Sequence, residues 1–235
     1  MSKPQVLMVL TSHDELGTTG EKTGFWLEEF AAPYYVFKDA GAAITLASVK
    51  GGQPPVDPKS SQPEWQTEAT RRFNVDTAGL AALAGTKPIV GVDAGDYDLI
   101  FFPGGHGPMW DYPGNANLAH LIEAFDEEGK IIAAVCHGPV ALVDAKRADG
   151  KPLVANRRVT GFTNGEEAAV GLTDIVPFLL EDRLRQLGGL ITNGPDFTAH
   201  VVEDGNLITG QNPQSSEEAA RVVLAAFARN HRAAA

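Results

Sequence analysis

The chain has 235 residues, 43% of them apolar and 21% charged, with a net charge of −11 and a single cysteine. One cysteine excludes an internal disulfide, and the acidity argues against nucleic acid, since basic side chains adjoin only in isolated pairs such as Arg71-Arg72 and Arg157-Arg158. No apolar run approaches a membrane span and the opening MSKPQVLMVL is too short for a signal peptide, so a cytoplasmic protein with neither a nucleic-acid nor a membrane partner is expected, folded as one domain over residues 1–235.

Residues 5–10 read as a first buried strand. KTGFWLEEFAAPYYVF (22–37) reads as a helix in which Pro33 removes the donor for the Glu29 carbonyl, so a kink or an end is predicted there. Glu28 and Glu29 point about 100° apart on such a helix, so only one can face a given site. A carboxyl among Phe25, Trp26 and Phe30 would have its pKa raised by burial, although two solvated glutamates account for the same letters. Residues 44–48 form the second strand. GGQPPVDPKSSQPEWQ (51–66) carries four prolines and little periodicity; it reads as an ordered loop or lid within an insertion of about residues 50–75.

The third strand, 97–102, runs into FFPGGHGPMWDYP (101–113), where Gly104 and Gly105 allow close backbone approach and can present N–H groups. Phosphate-loop spacing is missing, so nucleotide binding is not indicated. His106 and Trp110 either line a pocket or pack the turn. Leu118, Leu121, Ile122 and Phe125 share a helical face that stops at Gly129, and 131–135 is the fourth strand. In AAVCHGPVAL (133–142), Cys136 falls between that strand and a predicted helix opening at Gly138, the geometry of a nucleophile elbow. The dipole of that helix should lower the thiol pKa from its usual value of about 8.5. His137 could activate the sulfur or merely pack against the sheet edge, and its N–H is placed to stabilise an oxyanion formed at Cys136.

VTGFTNGEEAAVGLT (159–173) opens a short helix with Glu166 and Glu167, either serving the histidine beside the cysteine or suiting a helix first turn. Val176, Leu179, Leu180, Leu184 and Leu187 predict a helix ending at Gly188-Gly189. Residues 197–202 and 206–209 around Asp204-Gly205 predict a hairpin. A last helix carries Ala219, Val222, Val223, Ala226 and Phe227, with Ser215 and Glu218 at capping-box spacing. Strands alternating with helices give an α/β fold, a doubly wound, mostly parallel sheet with helices on both faces.

Together, LTS after the first strand, KTGFWLEE, GGHGPMWDYP, AAVCHGP, VTGFTNGEEAAVG and LITGQNPQSS resemble the ThiJ/PfpI superfamily in its glyoxalase III (D-lactate dehydratase) branch, from Val6 to near Phe227. The resemblance implies a flavodoxin-like sandwich that is often a homodimer. It places Cys136 on the nucleophile, His137 on the adjacent histidine, Glu29 on the carboxyl touching the thiol, and Gly105 with the His137 N–H on the oxyanion hole. The triad acid falls on Glu167, with Glu166 the alternative one residue away. The implied substrates are small dicarbonyls, methylglyoxal and glyoxal, and the implied reaction uses no cofactor. A metal is not expected either, since His13, His120, His200 and His231 lack ligand spacing. Rival readings are a glutamine amidotransferase, for which His200 fits poorly, a peptidase, a stress chaperone or protein deglycase, and a thiol sensor.

Overall fold

The computed structural model describes residues 3–233. In strand β1 (Gln5–Leu10), Val6, Met8 and Leu10 enter one core and Leu7 and Val9 the other, all fully buried. A strand apolar on both faces requires cover on both, and the rest of the chain supplies it. After it come α1 (Leu27–Asp39), β2 (Ala43–Ser48), α2 (Glu68–Asn74), α3 (Thr77–Ala84), β3 (Lys87–Pro88), β4 (Leu99–Phe102), α4 (Pro108–Asp111), α5 (Ala116–Glu127) and β5 (Ile131–Val135). The second half of the chain adds β6 (Arg158–Val159), α6 (Asn164–Ala169), α7 (Leu180–Gln186), β7 (Leu190–Ile191), β8 (Val201–Asp204), β9 (Leu207–Gly210) and α8 (Ser216–Ala233).

The main sheet has the order β3-β2-β1-β4-β5-β9-β8, parallel throughout except for the β8–β9 hairpin. This is the expected flavodoxin-like, mostly parallel α/β sheet. Phe30 and Phe37 of α1 and Val223 and Phe227 of α8 join one core, and Leu118, Ile122 and Phe125 of α5 join the other. Strand order reverses at β1, which pairs with β2 on one side and β4 on the other. At such a switch point the loops after the strands diverge and leave a crevice at the carboxyl edge. No described helix is long and apolar enough to cross a membrane.

Several boundaries differ from the sequence reading. Helix α1 starts at Leu27 and continues through Pro33 to Asp39; with most of its length buried, packing outweighs the one hydrogen bond that proline removes. The helix predicted from Val176 begins only at Leu180, after an extended Leu179 (φ −75°, ψ 124°). The hairpin turns at Gly205-Asn206, and its first arm starts at Val201, since residues 195–198 form a separate turn with Phe197 at φ 55°. The Ser215 hydroxyl does not form the predicted capping box; it shares its one proton between Asn212 Oδ1 at 2.9 Å and His200 O at 3.2 Å and accepts from the His200 N–H. Helices α2 and α3 and the small β6–β7 sheet went unread.

Candidate active site

Cys136 comes directly after β5 and takes φ 59°, a left-handed conformation that a non-glycine residue adopts only under constraint. The constraint is visible on both sides of the residue: its N–H donates to Gly210 O at 2.9 Å, and its carbonyl accepts from Phe162 N–H at 2.8 Å. This is the elbow the sequence predicted. The chain then enters a five-residue 3-10 turn, Gly138–Leu142, rather than an α-helix, so the expected helix dipole is not there to stabilise a thiolate. Burial, the charge of Glu29 and its hydrogen bond instead push the Cys136 thiol well above its ordinary pKa, against a smaller lowering by the Gly105 N–H.

Glu29 arrives from the first turn of α1. Its Oε2 accepts the Gly104 N–H at 2.7 Å, while its buried Oε1 has no oxygen or nitrogen partner. Burial drives its pKa up to about 8, outweighing the lowering by hydrogen bonds from Cys136 and Gly104. Glu28 points elsewhere and accepts from the Thr67 hydroxyl. The glycines make this approach feasible: a Cβ on Gly104 would sit 2.6 Å from His137 N and 2.7 Å from Glu29 Oε2, and Gly105 combines φ 87° with a Cβ position 2.5 Å from Gly24 O.

His137 is fully buried with Nδ1 3.4 Å from the sulfur and Nε2 2.7 Å from Glu167 Oε2. A carboxylate only accepts, so Nε2 carries the ring proton and the Nδ1 lone pair faces Sγ. Burial first, and the neighbouring His106 second, lower the His137 pKa. Glu167 spends its other oxygen on His106 Nε2 at 2.8 Å, and the two imidazoles lie 4.1 Å apart. Burial alone would raise the Glu167 pKa, but the two histidines outweigh it and hold the carboxyl well below the usual range.

The adjacent Glu166 does different work. Its Oε2 accepts the Thr163 N–H and its Oε1 accepts from Phe197 N–H, Gln211 Nε2 and Asn212 Nδ2. Four donors on one buried carboxylate tie three segments together, and none of them belongs to the histidine pair.

Glu29, Gly105, His106, Cys136 and His137 line one cavity of about 140 Å³. Glu167 stands behind the two histidines. Trp110 does not line the cavity and stacks on the His13 ring at 5.3 Å, so its predicted pocket role is corrected; the turn at 107–111 directs it away. His200 is also outside the lining, within 3.2 Å of Thr192 Oγ1. The sequence reading missed Phe162, whose ring packs 4.5 Å from His137, and Trp26, which meets Trp65 edge-on at 5.4 Å. The proline-rich stretch 51–66 is an ordered wall. Phe25 N–H donates to Pro55 O, Asp57 N–H to Phe25 O and Leu27 N–H to Ser60 Oγ, which brings Asp57, Lys59 and Trp65 to the cavity.

One donor set escaped the sequence search for metal ligands. His106, His137 and Glu167 place ligand atoms within 4.8 Å of one another, and a divalent cation there would have to replace both histidine–carboxylate hydrogen bonds.

A left-handed thiol at the carboxyl edge of a parallel sheet, flanked by a protonatable carboxyl and a histidine–carboxylate pair, defines an elbow-cysteine protein of the flavodoxin-like α/β class. The sequence profile of the DJ-1/PfpI family matches residues 22–226, and the chain belongs to that family. It is 34% identical to "Glyoxalase 3" of Candida albicans over 234 residues, covering 95% of this chain and 98% of that protein. It is 31% identical to the "Glutathione-independent glyoxalase HSP31" of Saccharomyces cerevisiae over 232 residues, covering 94% and 96%. Among solved structures, the Rapid Encystment Protein 24 kDa of Francisella tularensis superposes with a TM-score of 0.91 at 38% identity, covering 95% of this chain and 98% of that one.

Proposed function

We propose that the protein is a glutathione-independent glyoxalase that converts methylglyoxal to D-lactate, and glyoxal to glycolate, through a hemithioacetal on Cys136. The observation that carries this reading is the arrangement around one sulfur: the fully buried Glu29 carboxyl, held by the Gly104 N–H, and His137, with Nδ1 3.4 Å from Sγ and Nε2 2.7 Å from Glu167 Oε2, a setting in which burial raises the Glu29 pKa to about 8 and lowers that of His137. The cavity of about 140 Å³ is comparable to cavities of ~150 Å³ that admit one benzene-sized solute. A three-carbon dicarbonyl fits such a space, and the cysteine supplies the sulfur that glutathione would otherwise bring.

The thiol is protonated at rest, so addition to the aldehyde is coupled to transfer of the S–H proton to His137 Nδ1. Glu167 stabilises the imidazolium that results. The new oxyanion rests against the Gly105 and His137 N–H groups and takes the proton of Glu29, which leaves a carboxylate beside the C1 hydrogen. That carboxylate has an unusually high proton affinity and removes the hydrogen, while the imidazolium protonates the neighbouring carbonyl oxygen to give an enediol. Glu29 then returns its proton to C2, His137 accepts the proton of the C1 hydroxyl, and a lactoyl thioester remains. Water activated by the Glu29 carboxylate attacks the thioester, and the His137 imidazolium gives its proton to the departing sulfur, which restores the thiol, the neutral Glu29 carboxyl and the neutral imidazole.

Retention of the aldehyde hydrogen tests this route. With methylglyoxal deuterated at C1, a shielded Glu29 returns part of the label to C2 of lactate; complete wash-out would assign the transfer to a base in open exchange with solvent.

A further inference from the structure

Large apolar side chains exposed singly on a surface need no explanation, but three converging on one cavity do. Trp65, Val170 and Phe197 are 45%, 42% and 38% exposed, and all three line the cavity that holds Cys136. Phe197 is the most telling of them. It takes φ 55°, a conformation that disfavours a bulky side chain, and it is held there by its N–H bond to Glu166 Oε1 at 2.8 Å. Its ring lies 6.2 Å from Phe162, which in turn packs on His137. An aromatic ring held in a disfavoured backbone conformation and left partly exposed on the wall of the Cys136 cavity is not explained by core packing, and strain of this kind concentrates at ligand clamps. The wall at 51–66 presents Trp65 against Trp26 in the same cavity.

The charged groups of the lining are already answered within the protein. Lys22 pairs with Asp14 at 2.7 Å, Lys59 lies 3.7 Å from Glu21, and Asp57 accepts from the Thr23 hydroxyl and the Lys59 N–H. Among the described residues the lining therefore offers an anionic substrate no unpaired cation, whereas an apolar substituent meets the exposed faces of Trp65, Val170 and Phe197 and the half-buried Trp26.

We propose that Trp26, Trp65, Val170 and Phe197 form a subsite for a bulky apolar substituent on the ketone carbon, making aryl and branched 2-oxoaldehydes the preferred substrate class. The inference rests on the glyoxalase reading. Once Cys136 has added to the aldehyde, the ketone substituent is the part of the adduct directed away from the sulfur, toward these side chains. The chemistry is unchanged: phenylglyoxal plus water gives mandelate, with the C1 hydrogen moved to C2 and no outside oxidant or reductant.

The test compares kcat/KM for phenylglyoxal and methylglyoxal in the wild type, Trp65→Ala and Phe197→Asn. The wild type should favour phenylglyoxal about tenfold, in line with what added apolar groups gain in a fitted pocket. Each variant should lower the phenylglyoxal-to-methylglyoxal ratio about tenfold, and intrinsic aldehyde reactivity cancels in that comparison. Asparagine tolerates the left-handed backbone and keeps the N–H for Glu166, so Phe197→Asn should not lower Tm. A ratio within twofold of the wild type in both variants, with methylglyoxal turnover persisting, overturns the subsite and leaves the function standing. Cys136-dependent turnover of neither aldehyde overturns the function and the subsite together.

Discussion

Two buried carboxyls sit on either side of the Cys136–His137 elbow and are held in opposite charge states. Glu29 is fully buried, receives hydrogen bonds only from the Gly104 N–H and the Cys136 thiol, and keeps its proton up to about 8. Glu167 is as deeply placed, but each of its oxygens meets a histidine nitrogen within 2.8 Å, and it stays ionised. Burial pushes both upward; the difference comes from what the remaining lone pairs meet. Where the environment drives two titratable groups apart, the acid and the base of a mechanism can be told from each other. In the proposed mechanism Glu29 is the proton carrier and Glu167 the fixed charge behind the base.

Removing the sulfur between them has the largest expected effect. Cys136→Ser should reduce kcat for methylglyoxal by about 10⁴-fold or more, with the fold retained by circular dichroism, since one sulfur contributes little packing. Glu29→Gln keeps the volume but cannot transfer a proton and should lower kcat by about 10³-fold; a near-normal rate would remove Glu29 from the chemistry. Glu167→Gln should cost about 10²-fold, because an amide can accept from only one histidine and must present its NH₂ to the other, forcing a tautomer change.

The pH behaviour sharpens the contrast. The rate should fall above about pH 8 as Glu29 ionises in the free enzyme, and fall in acid as His137 takes a proton, below the usual histidine range because burial lowers its pKa. The alkaline limb should vanish in Glu29→Gln. Stability should tilt in opposite directions at the two sites. Folding raises the Glu29 pKa from an ordinary 4.5 to about 8, so the native state holds a proton that the unfolded chain has lost, and stability declines as pH rises through that window. Glu29→Gln should abolish that decline and raise Tm at pH 8, an effect on the order of a few kcal/mol. Folding lowers the Glu167 pKa, so its contribution is present above 4.5 and is lost as pH falls through the folded value. The smallest effect is therefore expected for Glu167→Gln in acid, where its Tm should converge on the wild type.

The parts legible in the sequence were those written locally. Four buried strands, the α5 stripe and the turn after residue 135 each carry their signal within a dozen residues, and Cys136 could be put on an elbow from its neighbours alone. What the sequence could not convey was set by distant contacts. The length of the helix after Cys136 decides whether a dipole acts on the thiol, and local propensity does not reveal that a 3-10 turn ends it at Leu142. Glu166 and Glu167 are adjacent letters with different tasks, told apart by which donors reach them from 30 to 61 residues away. Trp110 stands within a motif that resembles the family, yet its ring stacks on His13, a contact no spacing rule predicts.

The most direct test of the central claim is incubation of the reduced, chelator-treated protein with methylglyoxal in the absence of glutathione, followed by chiral assay of lactate, with Cys136→Ser alongside. D-lactate formed by the wild type and not by the variant is the predicted result. A folded, reduced wild type that forms none, or a variant that forms as much, would contradict it.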